Sequence, residues 1–180
     1  MPDLNITTSL LIVLLVAAVT DIRSYKIPNF LTISGMLCGL FYHTVQNGIS
    51  GFFFSASGIL VGMSLLILFY LSGGMGAGDV KLLGSVGAFV GVKAVLIVGL
   101  YTAIIGGVYA LLLIALNPVD SKSMVTRIYI SVKTFICTGE YIAIPPAKSE
   151  KKLTLCYGVA IALGGIFYIY FESFSFSLPI

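Results

Sequence analysis

The sequence predicts an all-α membrane protein that crosses the bilayer about six times. Of its 180 residues, 58% are hydrophobic and only 9% are charged, and the mean hydropathy is +1.08. Soluble domains carry roughly 25% charged residues, so this composition excludes a soluble globular protein as well as a disordered chain. The apolar residues form runs of about 20, the length that an α-helix needs to cross the hydrocarbon core.

Six apolar segments are predicted to form spanning helices within one transmembrane domain over residues 1–180. The first lacks the basic start of a removable signal peptide and is interpreted as a retained anchor. The fourth is short and is separated from the fifth only by Gly91-Val92-Lys93, so a helix break or a tilted hairpin is an alternative there. The predicted helices cover residues 5–22, 28–46, 51–71, 79–91, 93–116 and 153–172.

Basic residues predict the orientation of these helices. If the chain changes sides at each of six crossings, nine basic residues share one side and only Lys93 lies on the other. Such an excess marks the cytoplasmic side, so we expect a multi-pass protein of the cytoplasmic membrane with its N-terminus outside. The nine are Arg23, Lys26, Lys81, Lys122, Arg127, Lys133, Lys148, Lys151 and Lys152. Lys81 is interpreted as an anchor at the lipid headgroups rather than an electrostatic partner of nearby residues.

The longest connection, residues 117–152, is expected to be cytoplasmic or to lie at the membrane interface. Apolar residues such as Met124 and Phe135 are mixed there with Arg127 and Lys133. This mixture suits a helix on the anionic inner leaflet, and an ordinary solvated loop is the alternative.

The cysteines and the single histidine do not indicate a metal site. Cys38, Cys137 and Cys156 form no CxxC pair and are interpreted as apolar filling residues or free thiols, with metal binding or a disulfide as the alternative. His43 is expected near the outer interface. We therefore expect no cofactor, and the net charge of +3 is too small and scattered to indicate nucleic-acid binding.

Two aspartates are the candidates for chemistry. Asp21 ends the first predicted helix, Asp79 begins the fourth, and both are expected at the cytoplasmic side. Carboxylates at such depths cost free energy and usually serve a function. A salt bridge of Asp21 to Arg23 or Lys26, and a helix cap made by Asp79, are the structural alternatives. If the two aspartates form a pair, one carboxylate, ionised, can activate a water molecule while the other, protonated, acts as the acid.

The helix ends predict which aspartate has which role. Asp21 lies at a helix C-terminus, where the partial negative charge disfavours an anion, and Asp79 lies at a helix N-terminus, which favours one. The hypothesis is therefore that Asp79 begins as the base and Asp21 as the acid, although two such groups titrate as a pair.

Glycines have two predicted uses. Four of the six residues 73–78 are glycine, which disfavours a helix and leaves the main chain accessible, so an extended substrate segment is expected against Gly76 and Gly78. Glycines four residues apart predict close packing of helices. These pairs are Gly35 with Gly39, Gly58 with Gly62, and Gly87 with Gly91.

Both aspartates lie in segments that resemble the signatures of a known family. Residues 21–29, Asp-Ile-Arg-Ser-Tyr-Lys-Ile-Pro-Asn, and residues 74–82, Gly-Met-Gly-Ala-Gly-Asp-Val-Lys-Leu, are similar to the two signature regions of type IV prepilin peptidases. These are GxGD-type aspartic membrane proteases. Residues 157–164 resemble the last-helix pattern of the family, with Cys156 where proline is common. The resemblance covers essentially the whole chain.

The resemblance implies an aspartic endopeptidase of the membrane. Family members use aspartates at the positions of Asp21 and Asp79 to cut after a glycine in the short basic leader of a pilin-like precursor, at the cytoplasmic face. The chain lacks the segment with paired cysteines that larger members carry, so it resembles the compact forms and is expected to cleave without methyl transfer. The implied partners are that precursor and the lipid bilayer.

Two other classes of function are weighed against this one. A small transporter coupled to ions or protons would explain intramembrane carboxylates and helix breaks. It would not explain two matched motifs at one level of the membrane. A purely structural membrane subunit, with both aspartates in salt bridges, is the third class. The oligomeric state is left open.

Overall fold

The structure is a computed structural model that describes residues 4–71, 74–116, 130 and 156–177, and it is helical. The helices are α1 (Leu4–Ser24), α2 (Asn29–Leu71), α3 (Ala77–Leu116) and α4 (Tyr157–Ser177). The loop predicted over 117–152 lies outside the described residues apart from Ile130, and so do Cys137 and Gly73.

The helices have the length and composition of membrane spans. Among the described residues, α1, α2 and α3 each contain a stretch long and apolar enough to cross a bilayer, and α4 has a shorter apolar stretch, Tyr157–Glu172. Large apolar side chains cover their outer surfaces, such as Leu60 on α2 and Leu100 on α3, as expected for contact with lipid. The protein is a polytopic helical membrane protein, as its sequence predicts.

The two longest helices are each broken once, at a glycine. Gly48 (φ 60°, ψ −137°) divides α2 into arms 29–47 and 49–71, and Gly91 (φ 77°, ψ −178°) divides α3 into arms 77–90 and 92–116. Glycine adopts these conformations readily because it has no Cβ. The break that the sequence left open near residue 91 is therefore present.

The arms of α2 lie antiparallel to each other against the first arm of α3. Glycines of α2 make the contacts. Along arm 29–47 the contacted residues of α3 increase in residue number, and along arm 49–71 they decrease, so the two arms run in opposite directions. The contacts are Gly35 with Ser85, Gly39 with Ala88, Gly58 with Gly87, and Gly62 with Leu83. Ser55 Oγ also donates a hydrogen bond of 2.9 Å to the carbonyl oxygen of Ala88. The predicted role of the glycine pairs in close packing is confirmed.

The core surrounds the first arm of α3, where residues 82–89 are all buried. Helices α1 and α4 pack antiparallel, since Gly158 lies against Asp21 and Gly165 against Leu14. This packing brings the C-terminal end of α1 to the N-terminal end of α4.

Two compact units can be distinguished among the described residues. The first holds the residues up to Gly106 and those from Cys156 onward, including the core and both aspartates. The second holds residues 107–116 and Ile130. Its large apolar side chains, Leu111 and Leu116 among them, are exposed.

Candidate active site

Both aspartates lie at helix ends within the first unit. Asp21 is in the last turn of α1 and is 5% exposed, and Asp79 is in the first turn of α3 and is 9% exposed. The two carboxyl groups are close enough to interact electrostatically. The structure thus brings together the two residues that the sequence predicts to form a catalytic pair.

The side chain of Asp21 lies against the start of α4. A Cβ built on Gly158 would be 2.9 Å from Asp21 Oδ2 and 3.1 Å from Asp21 Cβ, so only glycine leaves the carboxylate its place. The main-chain amides of Gly158 and Val159 lie near this carboxylate, in the first turn of α4, where N–H groups have no partner within the helix.

No salt bridge satisfies Asp21 within the part of the chain that the structure describes. Its Oδ2 is buried there without a hydrogen-bond partner. Arg23 and Lys26, the predicted structural partners, are both exposed and form no ion pair with it among the described residues. A buried carboxylate oxygen left in this state costs free energy, so a stabilising ion pair does not account for Asp21 within the described residues.

Asp79 does make the helix cap that the sequence left as an alternative. Its Oδ2 accepts a hydrogen bond of 3.2 Å from the amide of Gly76, and its own amide donates one of 3.1 Å to the Gly76 carbonyl oxygen. A third-position side chain that bonds back to the capping residue is half of a capping box.

The cap corrects the expectation of a non-helical segment up to residue 78. Helix α3 begins at Ala77, two residues before the predicted start, so Gly78 is helical. Gly76 is exposed beside the Asp79 carboxylate, whereas Gly78 packs against Ile27. Of the two glycines predicted to bind substrate, Gly76 is the one on the open side.

Ile27 joins the elements that carry the aspartates, and sequence reasoning missed it. Its side chain is buried between two glycines: a Cβ on Gly78 would lie 3.1 Å from Ile27 Cβ, and one on Gly158 would lie 2.8 Å from Ile27 Cδ1. Ile27 therefore spaces the start of α3 from the start of α4. The sequence does mark Ile27 as an apolar residue between Lys26 and Pro28, in a connection that is otherwise mostly polar, and such a residue is a candidate for burial.

The connection between α1 and α2 is short and fixed at both ends. Tyr25 has a φ of 51°, and its amide donates a hydrogen bond of 2.8 Å to the Asp21 carbonyl oxygen, which ends α1. At the other end, Lys81 Nζ donates a hydrogen bond of 3.0 Å to Asn29 Oδ1. The amine of Lys81 is thus bonded to the start of α2, which a headgroup anchor does not require.

A polar cavity lies at the opposite end of the helices from the aspartates. It has a volume of about 360 Å³, and its lining includes Tyr42, His43 and Glu172. His43 Nε2 lies 2.9 Å from the Phe89 carbonyl oxygen. Within the described residues, no group of three or more His, Cys, Asp or Glu side chains is placed to hold a metal ion. Cys38 is an exposed free cysteine.

Comparison with known protein families gives a match over much of the chain. The model of the type IV leader peptidase family matches residues 8–111, a span that includes both aspartates, Ile27 and the Asn29–Lys81 hydrogen bond. Comparisons with curated proteins and with solved structures gave no match.

Proposed function

This chain belongs to the type IV leader peptidase family, and we propose that it is an aspartic endopeptidase that removes the leader of a pilin-like precursor. The observation that carries the proposal is the placement of Asp21 and Asp79 at two neighbouring helix ends. These residues are remote in the chain, both are buried, and Ile27 packs against the glycines beside them, Gly78 and Gly158. Paired carboxyl groups provide the acid and the base that hydrolysis of an amide requires.

The proposed reaction uses the two carboxyl groups and one water molecule. The ionised carboxylate takes a proton from the water, whose oxygen attacks the carbonyl carbon of the scissile peptide bond, while the protonated carboxyl group gives its proton to the carbonyl oxygen. As the C–N bond breaks, the first carboxyl group passes the proton that it took from water to the departing amine, and the second regains a proton from a hydroxyl group of the tetrahedral intermediate. The roles that the sequence suggests, Asp79 as base and Asp21 as acid, are retained as a hypothesis.

The surroundings of Asp79 support its proposed part in this reaction. One oxygen of Asp79 is held by the Gly76 amide, so this carboxylate has a fixed orientation. The exposed main chain at Gly74 and Gly76 is proposed to receive an extended substrate segment beside it. Gly78 packs against Ile27, so no open space lies above it for a substrate side chain. Its proposed contribution to substrate binding is therefore through its main-chain groups.

We propose that the chain forms one peptidase domain with six crossings and its N-terminus outside. At 1.5 Å per residue, an unbroken 43-residue helix such as α2 would be about 65 Å long, twice the hydrocarbon thickness of about 30 Å. The breaks at Gly48 and Gly91 therefore support two crossings for each long helix. The basic residues support a cytoplasmic position for both aspartates and for the 117–152 loop.

The proposed location is the cytoplasmic membrane, where the substrate would approach from the lipid. A pilin-like precursor has a basic leader followed by an apolar helix. The apolar helix can stay in the bilayer beside the enzyme while the scissile bond reaches the water-accessible level of the aspartates.

Co-expression with a pilin-like precursor tests the proposal. The wild-type protein should shorten the precursor, as seen by gel mobility and by mass spectrometry of the new N-terminus. Asp21→Asn and Asp79→Asn should each abolish the shortening while the protein still accumulates in membranes. Glu172→Gln is the matched control because Glu172 is an exposed carboxylate beside the distant cavity. Normal cleavage by either aspartate variant would contradict the catalytic pair.

A further inference from the structure

We infer that Asn29 and Lys81 are a positioning pair that fixes the distance between the two aspartates. The inference rests on the proposed peptidase function and adds to it two residues that touch neither the water nor the scissile bond. The observation behind it is the hydrogen bond of 3.0 Å from Lys81 Nζ to Asn29 Oδ1, which joins residues 52 positions apart in the chain.

Each member of the pair is linked to one aspartate through a short stretch of backbone. Lys81 follows Asp79 by two residues in the same helix, so the two side chains move together as α3 moves. Asn29 is the first residue of α2. The connection that precedes it is held at its α1 end by the hydrogen bond from Tyr25 N to the Asp21 carbonyl oxygen. A bond between Asn29 and Lys81 therefore restrains the start of α3 relative to the end of α1.

Apolar packing alone does not provide this restraint. Ile27 fills the space between Gly78 and Gly158, but packing of an aliphatic side chain has little directional preference. Within the described residues, the Asn29–Lys81 bond is the single hydrogen bond between segments 21–29 and 74–82. It is also directional and, although exposed to solvent, it has a charged donor, which favours it over a bond between neutral groups at the same position.

A positioning role and a headgroup anchor require different things of Lys81. An anchor needs only a positive charge at this level and is indifferent to Asn29. A positioning pair needs a donor at residue 81 and an acceptor at residue 29, so removing either group should have the same effect. Displacing a reacting group by about 1 Å can cost a factor of roughly a hundred in rate, so even partial loosening should be measurable.

A double-mutant cycle tests the pair with the full-length protein and a purified pilin-like precursor. Lys81→Met and Asn29→Ala should each lower kcat by about tenfold and leave KM within about twofold. The double variant should also lose about tenfold in kcat rather than a hundredfold, because either single change already breaks the hydrogen bond. Lys81→Arg and Asn29→Asp, which keep a donor and an acceptor, should stay within about threefold of the wild-type kcat.

Lys93→Met is the control for the loss of a lysine, because Lys93 is exposed and lies beyond the Gly91 break. It should leave kcat unchanged. Multiplying effects in the double variant, or an equal loss from Lys93→Met, would overturn the positioning role.

Hydrogen exchange provides a readout that does not depend on cleavage. Peptides covering residues 25–32 and 74–82 should exchange faster in Lys81→Met than in the wild type, and peptides from 92–106 should not change. Unchanged exchange in the first two segments would overturn the positioning pair by itself. Failure of the wild-type protein to cleave any precursor would instead overturn the proposed function, so the two failures are distinguishable.

Discussion

The start of α4 leaves no room for a side chain at residue 158, and Gly158→Ala should therefore damage the site directly. The added methyl group would lie 2.8 Å from Ile27 Cδ1, 2.9 Å from Asp21 Oδ2 and 3.1 Å from Asp21 Cβ. Real contacts of such atoms are longer by several tenths of an ångström. Ile27 can rotate its terminal methyl group away, but the Asp21 carboxylate is enclosed and has to shift.

The expected effect follows from the size of this shift. Overpacking of this kind typically costs about 1–3 kcal/mol of stability. A displacement of roughly half an ångström at a reacting carboxylate should lower kcat by about tenfold, given a factor of roughly a hundred for 1 Å. The measurements are precursor cleavage under single-turnover conditions and the thermal midpoint of the purified protein in detergent.

Two further variants separate the contact with Asp21 from general damage. Gly107→Ala is the matched control, because a Cβ there has nothing within 4 Å and alanine favours a helix over glycine. Adding Ile27→Val to Gly158→Ala removes the nearest clashing atom, so it should recover stability while cleavage stays low. Cleavage at the wild-type rate by Gly158→Ala, or full recovery of cleavage in the double variant, would refute the reasoning about Asp21.

Three other outcomes are expected. Gly39→Val should lower the free energy of unfolding by about 1–3 kcal/mol, because a Cβ there would be 2.8 Å from the Ala88 backbone, which cannot rotate away; denaturant titration with an unchanged midpoint would contradict this. Gly48→Ala should cost about 1–3 kcal/mol through its backbone conformation alone, since nothing lies within 4 Å, and an equal or higher thermal midpoint would contradict this. The purified protein should transfer no methyl group from S-adenosylmethionine to the cleaved precursor; a labelled N-terminus would contradict this.

Much of the fold could be predicted because it depends on patterns local in the sequence. Apolar runs of span length marked the helices, and α1 lies within two residues of its prediction at each end. Glycines four residues apart marked the faces that pack, since that spacing puts both on one side of a helix. The start of α3 was predicted two residues late, because glycine content disfavours a helix whereas the bond from Gly76 to Asp79 stabilises its first turn.

The site was predictable only as far as its motifs reached. Asp21 and Asp79 are visible in the sequence because carboxylates are rare in apolar segments. The contacts of Gly158 with Asp21, and of Lys81 with Asn29, join residues far apart in the chain. Neither hydropathy nor spacing reports which distant residues meet, so these contacts became apparent only in three dimensions.

The bond from Gly76 to Asp79 means that one carboxylate serves both the architecture and the proposed chemistry. Asparagine at position 79 retains an oxygen that can accept from the Gly76 amide, while alanine has none. An alanine substitution would therefore remove both the hydrogen bond that stabilises the first turn of α3 and the proposed acid–base group. A relative that has lost proteolysis but kept its shape is accordingly expected to carry asparagine, and not a small apolar residue, at this position.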